Sequence, residues 1–439
     1  MDAVYGAYDP QSATGSRASR SVAPIATPSV NDHAESSQRN ETKPVGNVTG
    51  ATVKRKAVDE SIDDNAVPGS HSVSSDQAEE HSKRVKLDNE TEAPVLAEIT
   101  IKMTATDSEV LSNYNEAFTL LKENTPEQRL DVQLPYETFL QLDQAFSELK
   151  SAEGISEDQR YPSLAYNSLT QTVTVVTCPS NIHEGAAGWI EYNIFTYIDN
   201  YLSTHSPHTR RNISMSRSTT QHFGRGGYTR SRKEPDGGFI YKTRFRANKM
   251  MIAIEVGTSE TYDRLLDDKD MWINGKGVNV VILVCFEESP RFRNPNTQYT
   301  NIAGVNAELE TMAQSVAETV EANIARGYYG PLEYRDHTWV GELNKALIEV
   351  WRQGSHKTFD LIQDGYALDP VDLPGTLNLR ISDFYPHEEW QAANIEDNDV
   401  PFDSIKFLDS IRDSMGVVAE LRLESYLKEK LGLHQEIAL

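Results

Sequence analysis

"PDGGFIYKTRFRANKMMIAIEVGTSETYDRLLDDKDMWINGKGVNVVILVCF", residues 235–286, carries the element order that decides the fold. "EPDGGFIY" and "KMMIAIEVG" read as two strands separated by a polar turn. A helix beginning near Thr261 or Tyr262 and a buried strand over residues 278–286 follow. Strand, helix and buried strand make a crossover unit, so residues 252–256 and 278–284 are predicted to run parallel. The expected class is therefore α/β, with a mixed central sheet flanked by helices.

Three charged side chains stand out in this stretch. Asp236 opens the first strand, and Glu255 ends the apolar run "MMIAIEV". A carboxylate there costs several kcal/mol, in order of magnitude, unless it is paired or holds a metal. Neighbouring strands lie about 4.8 Å apart, so both acids can reach one divalent cation. Lys269 falls among Leu265, Leu266, Trp272 and Ile273, which share one helix face. An ordinary intrahelical ion pair is not open to it at three or four residues' spacing. If the helix packs over the strands, its ammonium approaches the two acids. Simpler accounts stand beside this one: "PDGG" is a good turn, and a lysine stem can cover apolar surface while its head reaches water.

Upstream, Phe139, Leu142, Phe146 and Leu149 have helical spacing, and residues 163–178 read as two strands joined at "NS". Asn181 and Glu184 have capping-box spacing before a helix whose Ala187, Ile190, Ile194, Ile198 and Tyr201 share a face. That reading makes Glu184 a cap, whereas His183 faces inward in the first turn. Downstream, residues 303–327 are helical and residues 337–352 fit a strand or a helix. Residues 376–384 look like an edge strand closing the core, and residues 405–431 like one broken helix or two short ones.

The 439-residue chain has a formal charge of -24, which argues against nonspecific attachment of the whole protein to a polyanion. Between residues 210 and 249 the balance reverses. Arg210, Arg211, Arg225, Arg230, Arg232 and Lys233 stand in a Gly-, Ser- and Thr-rich segment suited to backbone phosphates. Residues 1–93 lack apolar periodicity and are expected to be a disordered arm. Within it, "VKRK" and the run Lys83, Arg84, Val85, Lys86, Leu87 and Asp88 are basic clusters. The second resembles the import signal of the Myc transcription factors, implying an import receptor and a nuclear location. The apolar run "VNVVILVCF" is too short to span a bilayer, so a soluble intracellular protein is expected, with no membrane partner. Cys178 and Cys285 are expected as buried, reduced thiols.

Taken in order, Pro235 and Asp236, then Glu255 and Val256, then "GTSETYDR" and Lys269, with "GKGV" leading into the last strand, resemble the PD-(D/E)XK nuclease superfamily. Within it they are most similar to the Uma-type restriction-endonuclease-like family. "VVTCPSNIHEGAAGWIEYNIFTYI" and "DGYALDPVDLPGTLNLRISDFYP" resemble further segments of that family. The usual lysine two residues after the glutamate is replaced by Gly257, and the resemblance makes Lys269 its migrated substitute. It implies a restriction-endonuclease-like domain over residues 94–386, with its core at about 134–386 and an insertion at about 287–336. A helical extension then covers residues 387–439. The function implied is Mg²⁺- or Mn²⁺-dependent phosphodiester hydrolysis, with nucleic acid, chiefly DNA, as substrate. Asp236 and Glu255 would hold the metal, Lys269 would stabilise the transition state, and His183 would orient water or phosphate. The alternative is a catalytically inactive nuclease fold used as a nuclear nucleic-acid-binding or protein-interaction module.

Overall fold

The computed structural model describes residues 108–123, 127–156, 159–216, 219–243, 247–258, 262–295 and 304–431. The N-terminal arm with its import signal lies outside the described residues.

In chain order the first elements are α1 (Ser108–Glu123), β1 (Arg129–Gln133), α2 (Tyr136–Ala152), β2 (Ser163–Asn167), β3 (Thr172–Val176), α3 (Asn181–His205) and α4 (Pro207–Arg210). Next come β4 (Ile213–Met215), β5 (Gln221–His222), β6 (Arg232–Lys233), β7 (Gly237–Lys242), β8 (Asn248–Gly257), α5 (Tyr262–Asp270) and β9 (Val280–Ser289). The remainder is α6 (Val305–Ile324), β10 (Leu332–Tyr334), β11 (His337–Val340), β12 (Glu342–Arg352), β13 (Ser355–Gln363), β14 (Tyr366–Ala367), β15 (Thr376–Arg380), α7 (His387–Ala393), β16 (Asp399–Pro401) and α8 (Ser404–Lys430).

The central sheet has seven strands in the order β14-β13-β12-β9-β8-β7-β4. β8 and β9 run parallel, with Ile252 opposite Val280 and Val256 opposite Val284, as the crossover requires. The other pairings in this sheet are antiparallel, so it is mixed. β9 has two buried faces. Val280, Ile282, Val284 and Phe286 join the large core with α3, α6 and α8, while Val281, Leu283 and Cys285 pack with Leu265, Met271 and Trp272. That two-sided burial makes "VVILVCF" continuously apolar rather than alternating.

A second sheet, β1-β3-β2-β6-β5, is antiparallel throughout. Its apolar face takes Phe139, Leu142 and Phe146 of α2 against Tyr166, Val173 and Val175.

Several expectations change. Residues 337–352 are strands: β12 is interior and buried on both faces, so Ala346, Leu347, Ile348 and Val350 mimic helical spacing. β15 pairs with β16 in a separate two-stranded sheet and does not close the central one. α8 is one helix of 27 residues, capped where the Lys406 N–H donates to Asp403. Its Phe407, Leu408, Ile411, Met415 and Leu423 belong to the large core. Cys285 is buried, but Cys178 is exposed because β3 stops at Val176. Among the described residues, no helix is long and apolar enough to cross a membrane.

Candidate active site

Register brings the two acids together. Gly237 pairs with Ile254, the Asp236 N–H donates to the Ile254 carbonyl at 3.1 Å, and the Val256 N–H donates to Asp236 Oδ2 at 2.8 Å. Asp236 is thus fixed across the carboxyl end of β8 rather than capping its own turn. Gly238, at φ 150°, permits this approach, since a Cβ there would lie 2.3 Å from the Ile252 carbonyl oxygen.

Glu255 alternates to the face opposite Ile254 and Val256 and is 2 % exposed. The Trp272 indole N–H donates to its Oε1 at 2.5 Å, and the Lys233 ammonium lies 3.1 Å from Oε2. Lys233 also lies 2.6 Å from Asp268 Oδ2. On the other side of Asp236, His183 Nε2 is 3.1 Å from Oδ2, and Arg160 Nη2 donates to Oδ1 at 2.8 Å and to the Pro235 carbonyl at 2.9 Å.

His183 stands in the first turn of α3, as expected. The helix cap, however, is Ser180, which accepts from the His183 N–H, and not Asn181. Glu184 is therefore released from the expected capping box. It accepts from the Tyr161 hydroxyl at 3.0 Å and lies 3.3 Å from His183 Nδ1 and 3.5 Å from Arg160.

Burial sets the electrostatics, and the neighbours decide each outcome. It pushes the Asp236 carboxyl up, but His183 and Arg160 prevail and hold it well below the usual range. Burial pushes His183 down, yet Asp236 and Glu184 raise it to about 10. Lys233 is raised despite burial, by Asp268 first and then Glu255. For Glu255 burial wins: its carboxyl stands well above the usual range, with Lys233 opposing and Asp236 and Asp268 adding to the rise.

Lys269 is not brought to this cluster. Its ammonium binds Asp270 at 2.7 Å and lies 4.4 Å over the Trp351 ring, in a separate depression beside His356. The reason is local geometry. Leu265 has both Asp268 and Lys269 as stacked neighbours on α5, and a π-helical turn over Met271–Lys276 resets the phase so that Trp272 meets Glu255. From this helix the site receives Asp268, and its ammonium comes from Lys233 on β6.

Of the basic residues expected on phosphate, only Lys233 lines the cavity formed here. Arg210 pairs with Asp199, and Arg232 with Asp143. Arg230 lies 4.8 Å over Tyr136 and 3.9 Å from Glu137. Arg225 packs over Gly277, and Arg211 is exposed just past α4. Arg129, Arg160 and Arg422, which the sequence reading did not single out, line the cavity instead. Arg160 sits outside any element, and no periodic signal marks it.

The cavity has a volume of about 100 Å³, with β1, β2 and β3 on one side and the ends of β8 and β9 on the other. His183, Lys233, Asp236 and Glu255 all line it. Among the described residues, no three His, Cys, Asp or Glu side chains converge as a ready metal site. The donor type still suits a hard divalent cation. Glu255 is a buried acid that one ammonium does not keep in the usual carboxylate range, and added positive charge would. Such a cation must take Asp236 oxygens from Arg160 or His183. Searched against family models and curated proteins, the chain matches neither a family model nor a curated protein.

Proposed function

We propose that this protein is a divalent-cation-dependent nuclease with a restriction-endonuclease-like core, in which Asp236 and Glu255 hold the cation and Lys233 supplies the ammonium expected of Lys269. The observation that carries this reading is that two acids from adjacent strands and a buried ammonium line one cavity. When bound, Mg²⁺ or Mn²⁺ would polarise the phosphate and lower the pKa of a bound water. Lys233 stays protonated between Glu255 and Asp268, so its part is to stabilise negative charge developing on phosphate oxygens, not to remove a proton. His183, also protonated at neutral pH, orients Asp236 and holds a proton at Nε2 near the reacting centre. DNA is the proposed substrate, and import through residues 83–88 the proposed route to it.

The test is incubation of the full-length protein with plasmid and single-stranded DNA, with and without Mg²⁺ or Mn²⁺. Cleavage should need metal and should be lost in Glu255→Ala and Lys233→Ala but kept in Lys269→Ala. A reporter fused to residues 1–95 should enter the nucleus.

One feature favours a second reading, an inactive binding module: N–H donors already occupy both Asp236 oxygens, with Arg160 in a cation's place. That reading requires calorimetry to detect no Mn²⁺ binding and Asp236→Ala to leave nucleic-acid affinity unchanged.

A further inference from the structure

We infer that the cavity admits one polynucleotide strand and excludes intact duplex, an inference about substrate class that rests on the nuclease reading. The acids lie at the bottom of a roofed slot, not in an open cleft. Side-chain exposure is 3 % for Glu255 and 10 % for Lys233, and 13 % for Asp236 and 11 % for His183.

Two struts tie the small sheet across this slot to the rest of the protein. At one end Arg422 of α8 binds Glu127, just before β1, at 2.7 Å, Glu288 of β9 at 2.9 Å and the Trp339 carbonyl at 2.7 Å. At the other, Arg160 binds Asp236 and the Pro235 carbonyl, while its neighbour Tyr161 donates to Glu184 of α3. All of these residues except Pro235 and Trp339 are ionisable groups held in place by partners on the opposite side, so the roof is fastened rather than loosely apposed.

Enclosure then decides, because both acids stand beneath the small sheet with side-chain exposure of 13 % or less. A B-form duplex presents its phosphates on a stiff body with grooves about 12 Å and 6 Å wide, and cannot lower one of them to a carboxylate roofed by a sheet. A single strand can, because its backbone torsions are free and its nucleotide is already unpaired. The cavity wall carries the cations Arg129, Arg160 and Lys233 beside the acids Glu127, Glu234 and Glu288.

The experiment uses the full-length protein with a fluorescein-labelled oligonucleotide, single-stranded or as the same sequence in a blunt duplex. Anisotropy in EDTA reads binding, and gel separation after Mn²⁺ addition reads cleavage. The expected result is preference for the single strand by roughly a hundredfold, the order of penalty that unpairing imposes. Equal or tighter binding of the duplex overturns the inference even if cleavage proceeds. Preferential single-strand binding without cleavage in any metal upholds the inference and removes the nuclease reading. Failure to bind either probe removes both.

Discussion

Replacing Lys233 by Met takes the ammonium from between Glu255 and Asp268 while keeping most of the stem volume. Both partners are buried, so the structure loses a paired internal charge rather than a surface contact. Breaking such a pair costs about 3–5 kcal/mol, because the remaining charge is left without compensation. Here the lower end applies. Glu255 is already pushed toward its neutral form, so Asp268 alone is stranded. A loss of about 3 kcal/mol corresponds to a fall in Tm of about 6–12 °C by the scaling for large domains. Lys269→Met is the control: its partner Asp270 is 47 % exposed, and its contact with Trp351 adds a cation–π attraction. Together these are worth about 0.5–2 kcal/mol. Urea unfolding of both variants measures the difference, and a single-stranded DNA cleavage assay in Mn²⁺ runs beside it. If Lys269→Met proved the more destabilising variant, or the only one to abolish cleavage, the assignment of Lys233 to the site would be refuted.

Further expectations follow from the same cluster. Glu255→Gln should leave metal-free stability nearly unchanged below the unfolded carboxyl's pKa and become the more stable form toward neutrality, since the amide still accepts from Trp272 and needs no proton. Because the native carboxyl is raised, wild-type stability relative to this variant is fullest below the unfolded pKa and declines as pH rises through the native one. An opposite slope in urea midpoints would contradict the burial argument. His183, raised to about 10, stabilises the metal-free fold fully below its unfolded value of about 6.5. That contribution is lost as pH rises through about 10, so the ring should remain protonated by NMR at pH 8; a midpoint near 6.5 would rule out the pairing with Asp236. Trp272→Phe keeps an aromatic ring in the core but removes the N–H donor to Glu255 and some buried volume. It should cost about 1–3 kcal/mol in thermal or urea unfolding, and no measurable loss would mean the bond contributes nothing.

Much of the scaffold was legible because periodicity and connection length constrain it. A strand, a short helix and an uninterrupted apolar strand left β8 and β9 only the parallel arrangement. The meeting of Asp236 with the end of β8 followed from one polar turn between neighbours. What could not be read was phase. Leu265 stacks equally with Asp268 and Lys269, and the π-helical turn that selects between them has no marker in composition. Lys233 was visible only as one charge in a basic run, since its two-residue strand is too short to display a period and its buried neighbours are Ser231 and Pro235. Arg160 reaches Asp236 from irregular chain, a contact fixed only by the packing of two sheets. The strand nature of β12 was hidden for a different reason: an interior strand has no polar face to display its period of two.

Arg422 ties the order of synthesis to the completion of the cavity. The guanidinium that anchors Glu127 and Glu288 belongs to α8, which leaves the ribosome after every strand of both sheets. Until that helix emerges and docks, the segment entering β1 has no ionic anchor at this end, and the two walls of the slot are not fastened. A growing chain therefore carries its acids and its ammonium without the enclosure that aligns them until α8 has docked.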